Sequence, residues 1–143
     1  MESANDNCYT QIVYHVVLTT YGRNDTMLNE DEQRKLYAYI FGIITNKNCK
    51  VWRIGGVANH LHIVFELNTQ ISLDTLMDTV KTYTEKFVRT SGIFNGLNFK
   101  WQSGYCAFTA GKKDLDVLIA YVKDQKKHHA YKSLNDEIKI LNV

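Results

Sequence analysis

The order of strand-like and helix-like segments is the feature of this sequence that most restricts its fold. Four segments are rich in β-branched or alternating apolar residues, which is typical of strands, and three repeat their apolar residues at helical spacing. The predicted strands span residues 10–20, 50–57, 61–67 and 101–109, and the predicted helices span residues 30–48, 72–90 and 112–132. The sequence contains no proline, no low-complexity segment and no internal repeat. We therefore expect one domain, residues 1–143, with the order β-α-β-β-α-β-α.

The first six of these segments predict a ferredoxin-like α/β (α+β) fold. A βαββαβ chain commonly forms an antiparallel sheet with its two helices packed on one face. Only Ala58, Asn59 and His60 separate the second and third predicted strands, so these two strands are expected to form a hairpin. The extra C-terminal helix is then expected to cover the other face of the sheet.

Composition restricts the class of protein. Hydrophobic residues make up 45% and charged residues 22% of the 143 residues, as in ordinary globular domains. The polar N-terminus does not resemble a signal peptide, and no apolar run approaches the roughly 18–20 residues of a membrane span, so no membrane contact is expected. The three cysteines form no CxxC pair, which favours a reducing, cytoplasmic location.

Positive charge is concentrated in one segment, although the net charge of the chain is only +2. Residues 81–132 carry 10 basic and 4 acidic side chains. An excess of this kind is either a solvated helix surface or an electrostatic footprint for a polyanion. Charge alone does not choose between these interpretations.

Two histidines stand at strand spacing in the segment NHLHIVFEL, residues 59–67. Because side chains alternate along a strand, Leu61, Ile63, Phe65 and Leu67 share one apolar face that belongs against the first two helices. His60, His62, Val64 and Glu66 share the other, and we call the side of the sheet that carries His60 and His62 the histidine face. Two neighbouring imidazoles can share a metal ion, or they can be histidines without a ligand.

The last predicted helix brings further polar groups toward the histidine face. Leu115, Leu118, Ile119 and Val122 form its packing stripe, and at about 100° per residue Tyr121, Gln125 and His128 lie on a flank beside that stripe. A tyrosine in this position can simply be the amphipathic rim of the helix. Since this helix is the one expected to cover the histidine face, its tyrosine and glutamine can instead converge on the two imidazoles.

Taken together, these motifs resemble those of a known family. HLH at residues 60–62 is followed by WQSGY at 101–105 and YVKDQKKHH at 121–129, and YHVVLTTYGRN at 14–24 precedes them all. In this order they resemble the HUH-type single-tyrosine transposases of the insertion-sequence 200/605 group, which includes domesticated relatives that process repetitive palindromic elements. The match extends over nearly the whole chain.

The resemblance implies a DNA transposase that cleaves and rejoins single-stranded DNA at hairpin-marked ends. Tyr121 would be the nucleophile that forms a covalent 5′-phosphotyrosine, and His60, His62 and Gln125 would be metal ligands. The resemblance also implies a ferredoxin-like fold and a homodimer in which the tyrosine helix can complete the histidine site of the partner subunit. Its partners would be single-stranded DNA hairpins.

The donor set and the basic segment are consistent with that chemistry. Two imidazoles and an amide oxygen leave coordination positions open for phosphate and water, which suits Mg²⁺ or Mn²⁺, whereas a closed tetrahedral set would favour Zn²⁺. Several basic side chains are candidates for salt-sensitive contacts with the DNA backbone. These are Lys81, Lys86, Arg89, Lys112, Lys113, Lys123, Lys126 and Lys127.

Aromatic side chains in the chain can stack on unpaired bases or pack in the core, and core packing is the expected role for any one of them. The candidates are Trp52, Phe94, Phe99, Trp101 and Tyr105. Two other functions remain open. One is a non-catalytic module that binds single-stranded nucleic acid, and the other is a zinc-binding structural protein that uses His60, His62 and His128 or a cysteine.

Overall fold

An antiparallel sheet organises the computed structural model, which describes residues 8–124. Within these residues the strands are β1 (Val13–Thr19), β2 (Lys50–Val57), β3 (His60–Glu66) and β4 (Cys106–Ala110), and the helices are α1 (Glu30–Asn46), α2 (Leu73–Ser91) and α3 (Leu115–Lys123). The strand order across the sheet is β2-β3-β1-β4, and every neighbouring pair is antiparallel. The predicted βαββαβ arrangement and the β2–β3 hairpin are confirmed.

Helices α1 and α2 begin where capping residues satisfy their first backbone N–H groups. The Asn29 side chain accepts a hydrogen bond from Glu32 N, and the Ser72 side chain accepts one from Thr75 N, as expected for N-cap residues. Gly92 ends α2 in the left-handed conformation, at φ +79°, which glycine adopts without steric cost.

The main hydrophobic core lies between these two helices and one face of the sheet. Leu36, Ile40 and Ile44 recur at helical spacing on α1 and are fully buried, and α2 contributes Leu76, Val80 and Val88. They pack against the apolar residues of the central strands, which are Val16, Leu18, Leu61, Ile63 and Phe65. The predicted apolar face of β3 is therefore confirmed.

Helix α3 packs on the opposite face of the sheet, against β2 and β3. Leu115 and Val122 are buried there together with Val13 and Val64, and Leu118 and Ile119 are partly buried beside them. The predicted packing stripe and the predicted position of the last helix are confirmed. Within residues 8–124, no helix is both long and apolar enough to span a membrane.

Several boundaries differ from the prediction: β1 is shorter, at Val13–Thr19, α1 ends at Asn46, and α2 is displaced by one residue, to Leu73–Ser91. Strand β4 begins at Cys106 and not at Trp101, because the chain turns at residues 102–105 with Gly104 at φ +79°; Trp101 forms only an isolated bridge with Thr20. Helix α3 begins at Leu115, after a short 3₁₀ turn at Lys112–Asp114. Strand β3 begins at His60, one residue early. The predicted end of the last helix, at residue 132, lies outside the described residues.

Candidate active site

Three histidines lie together on the histidine face of the sheet. His60 and His62 come from β3, and His15 comes from the neighbouring strand β1. The ring centroids of His60 and His62 are 5.2 Å apart, and those of His15 and His62 are 4.9 Å apart. All three side chains are at most 2% exposed. They are therefore not solvated surface histidines, and their polar atoms must be satisfied within the protein or by a ligand.

Asn59 holds His60 in one orientation. The His60 Nδ1 atom lies 2.8 Å from Asn59 Oδ1, and because an amide oxygen can only accept, we assign the proton of the ring to Nδ1. The orientation of the Asn59 amide is consistent with this, since its Nδ2 donates to the Arg23 carbonyl at 3.5 Å. The ring lone pair is then on Nε2, the form that a metal ligand requires.

His62 contacts His15 through its own Nδ1 atom. The distance between His62 Nδ1 and His15 Nε2 is 2.6 Å, and both side chains are buried. On its other side, the His15 ring lies 5.9 Å from the ring of Phe108 on β4. His15 is thus enclosed between the central strands, and it was not among the candidate residues derived from the sequence.

Tyr121 reaches the same histidines from helix α3. Its ring is half-buried and lies edge-on to His62, with centroids 6.2 Å apart and an interplanar angle of 87°. Helix α3 can approach this closely because β2 carries glycine at position 55: a Cβ atom there would lie 2.6 Å from the carbonyl oxygen of Val122. The predicted approach of Tyr121 to the histidine face is therefore present within one chain, at His62.

Glu66 and Trp52 occupy the far end of the histidine face. Trp52 Nε1 donates to Glu66 Oε2 at 2.8 Å, and the Glu66 side chain is 1% exposed. A bulge in β2 at Val51/Arg53 interrupts the regular pairing here and gives Trp52 its position. Glu66 lies four residues beyond His62 on β3, and its carboxylate accepts this hydrogen bond.

The family model described as IS200-like transposase matches residues 8–125 of this chain. The chain belongs to the IS200-like transposase family. A search of curated proteins finds no match.

Two similar solved structures share the fold of this family member. A candidate transposase from Deinococcus radiodurans R1 has a TM-score of 0.67 and 14% sequence identity, over 87% of this chain and 98% of that chain. A REP-associated tyrosine transposase bound to a REP hairpin has a TM-score of 0.63 and 14% identity, over 91% of this chain and 76% of that chain. The α/β fold of the IS200-like transposases is therefore present here.

The metal that the family implies can be tested against the donor atoms of the site. His60 and His62 offer adjacent rings whose Nδ1 atoms each have a partner, so the remaining nitrogen of each ring is Nε2. The predicted third ligand, Gln125, lies outside the described residues. Among residues 8–124, no group of three His, Cys, Asp or Glu side chains could hold a metal ion. Two imidazoles fit an open site that an amide oxygen completes, and they do not fit a closed zinc site built from described residues.

Five of the basic residues proposed to contact DNA face solvent. These are Lys86, Arg89, Lys112, Lys113 and Lys123. Lys123 lines a groove of about 410 Å³ between α1, β2 and α3, and Arg34 and Arg53 contribute to the same groove. Both arginines lie outside the basic segment 81–132, so the charge count along the sequence missed them. Lys126 and Lys127 lie outside the described residues.

Lys81 and Arg89 also hold the segment before β4 through contacts with its backbone. Lys81 Nζ donates to the Gln102 carbonyl at 2.9 Å and also to the Gly104 carbonyl, and burial lowers the pKa of Lys81. Arg89 Nε donates to the Phe99 carbonyl at 3.0 Å. Their contacts give both residues a structural role in addition to the predicted contact with DNA.

The aromatic candidates divide into two groups. Phe94, Phe99 and Trp101 are buried in the main core, and Trp101 Nε1 donates to the buried Thr84 hydroxyl at 2.8 Å, so core packing is the role that the structure gives them. Trp52 and Tyr105 are only partly buried. The Tyr105 hydroxyl contacts Asp74 Oδ1 at 3.0 Å, which limits its freedom to stack on a base.

Proposed function

We propose that this protein is a metal-dependent tyrosine transposase that nicks and rejoins single-stranded DNA at hairpin-marked ends. The observation that carries the proposal is the position of Tyr121: helix α3 places a phenol edge-on to His62, 6.2 Å between centroids, on a buried face with a second imidazole at His60. A tyrosine with only a rim role would not need adjacent buried histidines.

In the proposed reaction, Tyr121 Oη attacks the phosphorus of one phosphodiester. The Oη–P bond forms while the bond from phosphorus to the 3′ oxygen breaks, and the proton lost by the phenol is balanced by the proton gained at the 3′ oxygen. The product is a 5′-phosphotyrosine and a free 3′-hydroxyl. A second 3′-hydroxyl then attacks the same phosphorus, so the strand is rejoined and Tyr121 regains its proton.

Tyrosine suits cleavage that must be reversed. Because the reference pKa of a phenol is about 10, phenolate is a better leaving group than the alkoxide of a sugar. The covalent intermediate therefore stays reactive toward an incoming strand without ATP. A divalent ion such as Mg²⁺ or Mn²⁺, when bound, would neutralise phosphate charge and orient the phosphate. His60 and His62 would hold this ion with Gln125, since a metal ion binds the lone pair of an imidazole nitrogen.

The partner proposed for the site is a single-stranded DNA hairpin. Exposed Lys86, Lys112, Lys113 and Lys123 provide positive charge for phosphate contacts, and one structural neighbour is bound to a REP hairpin. We further expect a homodimer, which light scattering of the purified protein would measure.

The decisive experiment asks for a covalent adduct. The protein is incubated with Mn²⁺ and a pool of labelled single-stranded hairpins with flanking DNA, and the products are separated on a denaturing gel. We expect a slowly migrating band that disappears with EDTA and in Tyr121→Phe. Tyr39→Phe is the matched control, because Tyr39 stacks on Phe87 on the helical side of the sheet, with centroids 4.1 Å apart, and should leave the band unchanged.

Other outcomes identify the competing functions. Hairpin binding without any adduct would contradict the proposal and support a non-catalytic nucleic-acid-binding module. Stoichiometric zinc whose removal unfolds the protein would support a structural zinc protein instead. A band that persists in Tyr121→Phe would assign the nucleophile to another residue.

A further inference from the structure

We propose that His15 is a positioning residue that fixes the ring and the tautomer of His62, so that His62 presents the lone pair of Nε2 to a metal ion. This inference rests on the proposed function and adds a residue to it. It assigns His15 no contact with DNA and no contact with the metal.

The proposal starts from the short distance between the two rings. His15 Nε2 and His62 Nδ1 are 2.6 Å apart, and neither side chain is more than 2% exposed. Two ring nitrogens at this distance must share one proton, because two lone pairs or two N–H groups would repel each other. One ring therefore donates and the other accepts.

The direction of this hydrogen bond decides whether His62 can bind a metal. If His15 donates, His62 Nδ1 carries the lone pair, and the proton of the neutral His62 ring is on Nε2. If His62 donates, Nδ1 carries the proton and Nε2 carries the lone pair. Only the second arrangement makes His62 a ligand through Nε2, and it requires His15 to be the tautomer protonated at Nδ1.

His60 supplies an internal comparison. Its Nδ1 atom also has a hydrogen-bond partner, the amide oxygen of Asn59 at 2.8 Å. An amide oxygen and an unprotonated imidazole nitrogen are different groups, but both can accept a hydrogen bond from Nδ1–H. The two histidines of the HLH motif are thus oriented by the same device, with Asn59 serving His60 and His15 serving His62.

The sheet holds His15 where this role needs it. In the register of β1 and β3, His15 is opposite Val64, whereas Val17 is opposite His62, so the His15 ring reaches its partner diagonally. Phe108, which is opposite His15 on β4, packs against it from the other side. The ring is therefore confined by three strands, and its Nε2 is directed at His62.

Two variants of His15 separate a positioning role from simple filling of space. His15→Gln keeps a carbonyl oxygen that can accept from His62 Nδ1, whereas His15→Leu keeps comparable volume without an acceptor. Val17→Ala is the control for lost packing on the same strand and face, because Val17 is 1% exposed and has no polar atom in its side chain.

Mn²⁺ binding, measured without DNA by the electron paramagnetic resonance signal of the free ion, is the first readout. We expect His15→Leu to weaken Mn²⁺ binding about 10- to 100-fold, the usual cost of removing the group that orients a metal ligand. His15→Gln should restore most of the affinity. Val17→Ala should lower the stability of the protein to urea and leave Mn²⁺ binding unchanged.

The tautomer of His62 is the second readout, and it does not depend on any variant folding. Side-chain ¹⁵N NMR of the metal-free protein, at a pH where imidazole is neutral, should show His62 protonated at Nδ1. A wild-type protein with the His62 proton on Nε2, or a His15→Leu variant that binds Mn²⁺ like wild type, would overturn the inference. If the wild-type protein binds no Mn²⁺, both this inference and the metal dependence of the proposed function are overturned.

Discussion

The two faces of the sheet are equally buried and chemically opposite. On the helical side, Leu61, Ile63 and Phe65 are inaccessible to solvent, and on the histidine face His60 and His62 are at most 1% exposed. The first face packs against two long helices, α1 and α2, and the second packs against the nine-residue α3. Burial by itself therefore does not distinguish a hydrophobic core from a functional site. The polar groups on the histidine face make that distinction.

This difference in chemistry means that the two faces contribute differently to the stability of the fold. Apolar side chains on the helical side stabilise the fold by leaving water. Buried imidazoles destabilise the fold unless their polar atoms have hydrogen-bond partners. His15 and Asn59 supply those partners here. We therefore expect substitutions on the helical side to affect stability first and substitutions on the histidine face to affect activity first.

The sharpest test compares two neighbours in the chain, His62 and Ile63. Ile63→Ala should lower the free energy of unfolding by about 2–5 kcal/mol, because it leaves a cavity in the core, while the folded fraction still forms the adduct. His62→Ala should lower the rate of adduct formation at least about 100-fold with a smaller loss of stability. Urea unfolding and the adduct gel measure the two effects. Equal rates of adduct formation in wild type and His62→Ala would contradict the expectation that the histidine face serves activity.

A substitution at the contact between α3 and β2 is expected to have the next largest effect on adduct formation. Gly55→Val places methyl groups where even a Cβ atom would be 2.6 Å from the Val122 carbonyl oxygen, so α3 must move and take Tyr121 with it. Misplacing a reacting group by about 1 Å can cost about 100-fold in rate, and we expect adduct formation to fall about 10- to 100-fold. An unchanged rate of adduct formation would mean that Tyr121 acts from another position.

Ionisation of Tyr37, on the helical side of the sheet, should change only the free energy of unfolding. Burial raises the pKa of Tyr37 from 10.0 to about 12, so the neutral phenol is favoured in the folded protein. The resulting stability is complete below the unfolded pKa and is lost as the pH rises from about 10 to about 12, by up to about 2–3 kcal/mol. Urea unfolding across this range should show a steeper loss in wild type than in Tyr37→Phe, and parallel curves would contradict the expectation.

The smallest effect is expected at Gly42, on the outer surface of α1. A Cβ atom at this position would meet nothing within 4 Å, and alanine restricts the unfolded chain more than glycine does. Gly42→Ala should therefore raise the free energy of unfolding by about 0.5–1 kcal/mol. Adduct formation should be unchanged, which also makes this variant the matched control for Gly55→Val. A loss of stability would show that Gly42 has a packing role.

Local patterns in the sequence predicted most of the architecture. Alternation in residues 61–67 placed the apolar set toward α1 and α2, and Asn29 marked the start of α1, because both signals depend only on the geometry of a single strand or helix. The start of β4 could not be predicted in this way. Trp101 belongs to the apolar pattern, yet the turn at Gly104 separates it from the strand.

The candidate site was only partly predictable. His60, His62 and Tyr121 carried signals of their own, in the spacing of a strand and of a helix, and the structure brings these three together. His15 lies in the motif at residues 14–24 but has no spacing signal of its own, since one histidine in a run of β-branched residues is indistinguishable from a core residue. Gly55 and Arg53 were missed for the same reason, because their significance depends on which helix lies above them.

The sequence by itself determined which side chains share a face, where the helices begin and the family to which the chain belongs, since periodicity, capping and ordered motifs are all properties of neighbouring residues. Only the tertiary structure decided which groups meet across those elements. The His15–His62 contact joins residues 47 positions apart and exists because β1 and β3 pair in one antiparallel register. A shift of that register by one residue would turn the side chain of His15 to the other face.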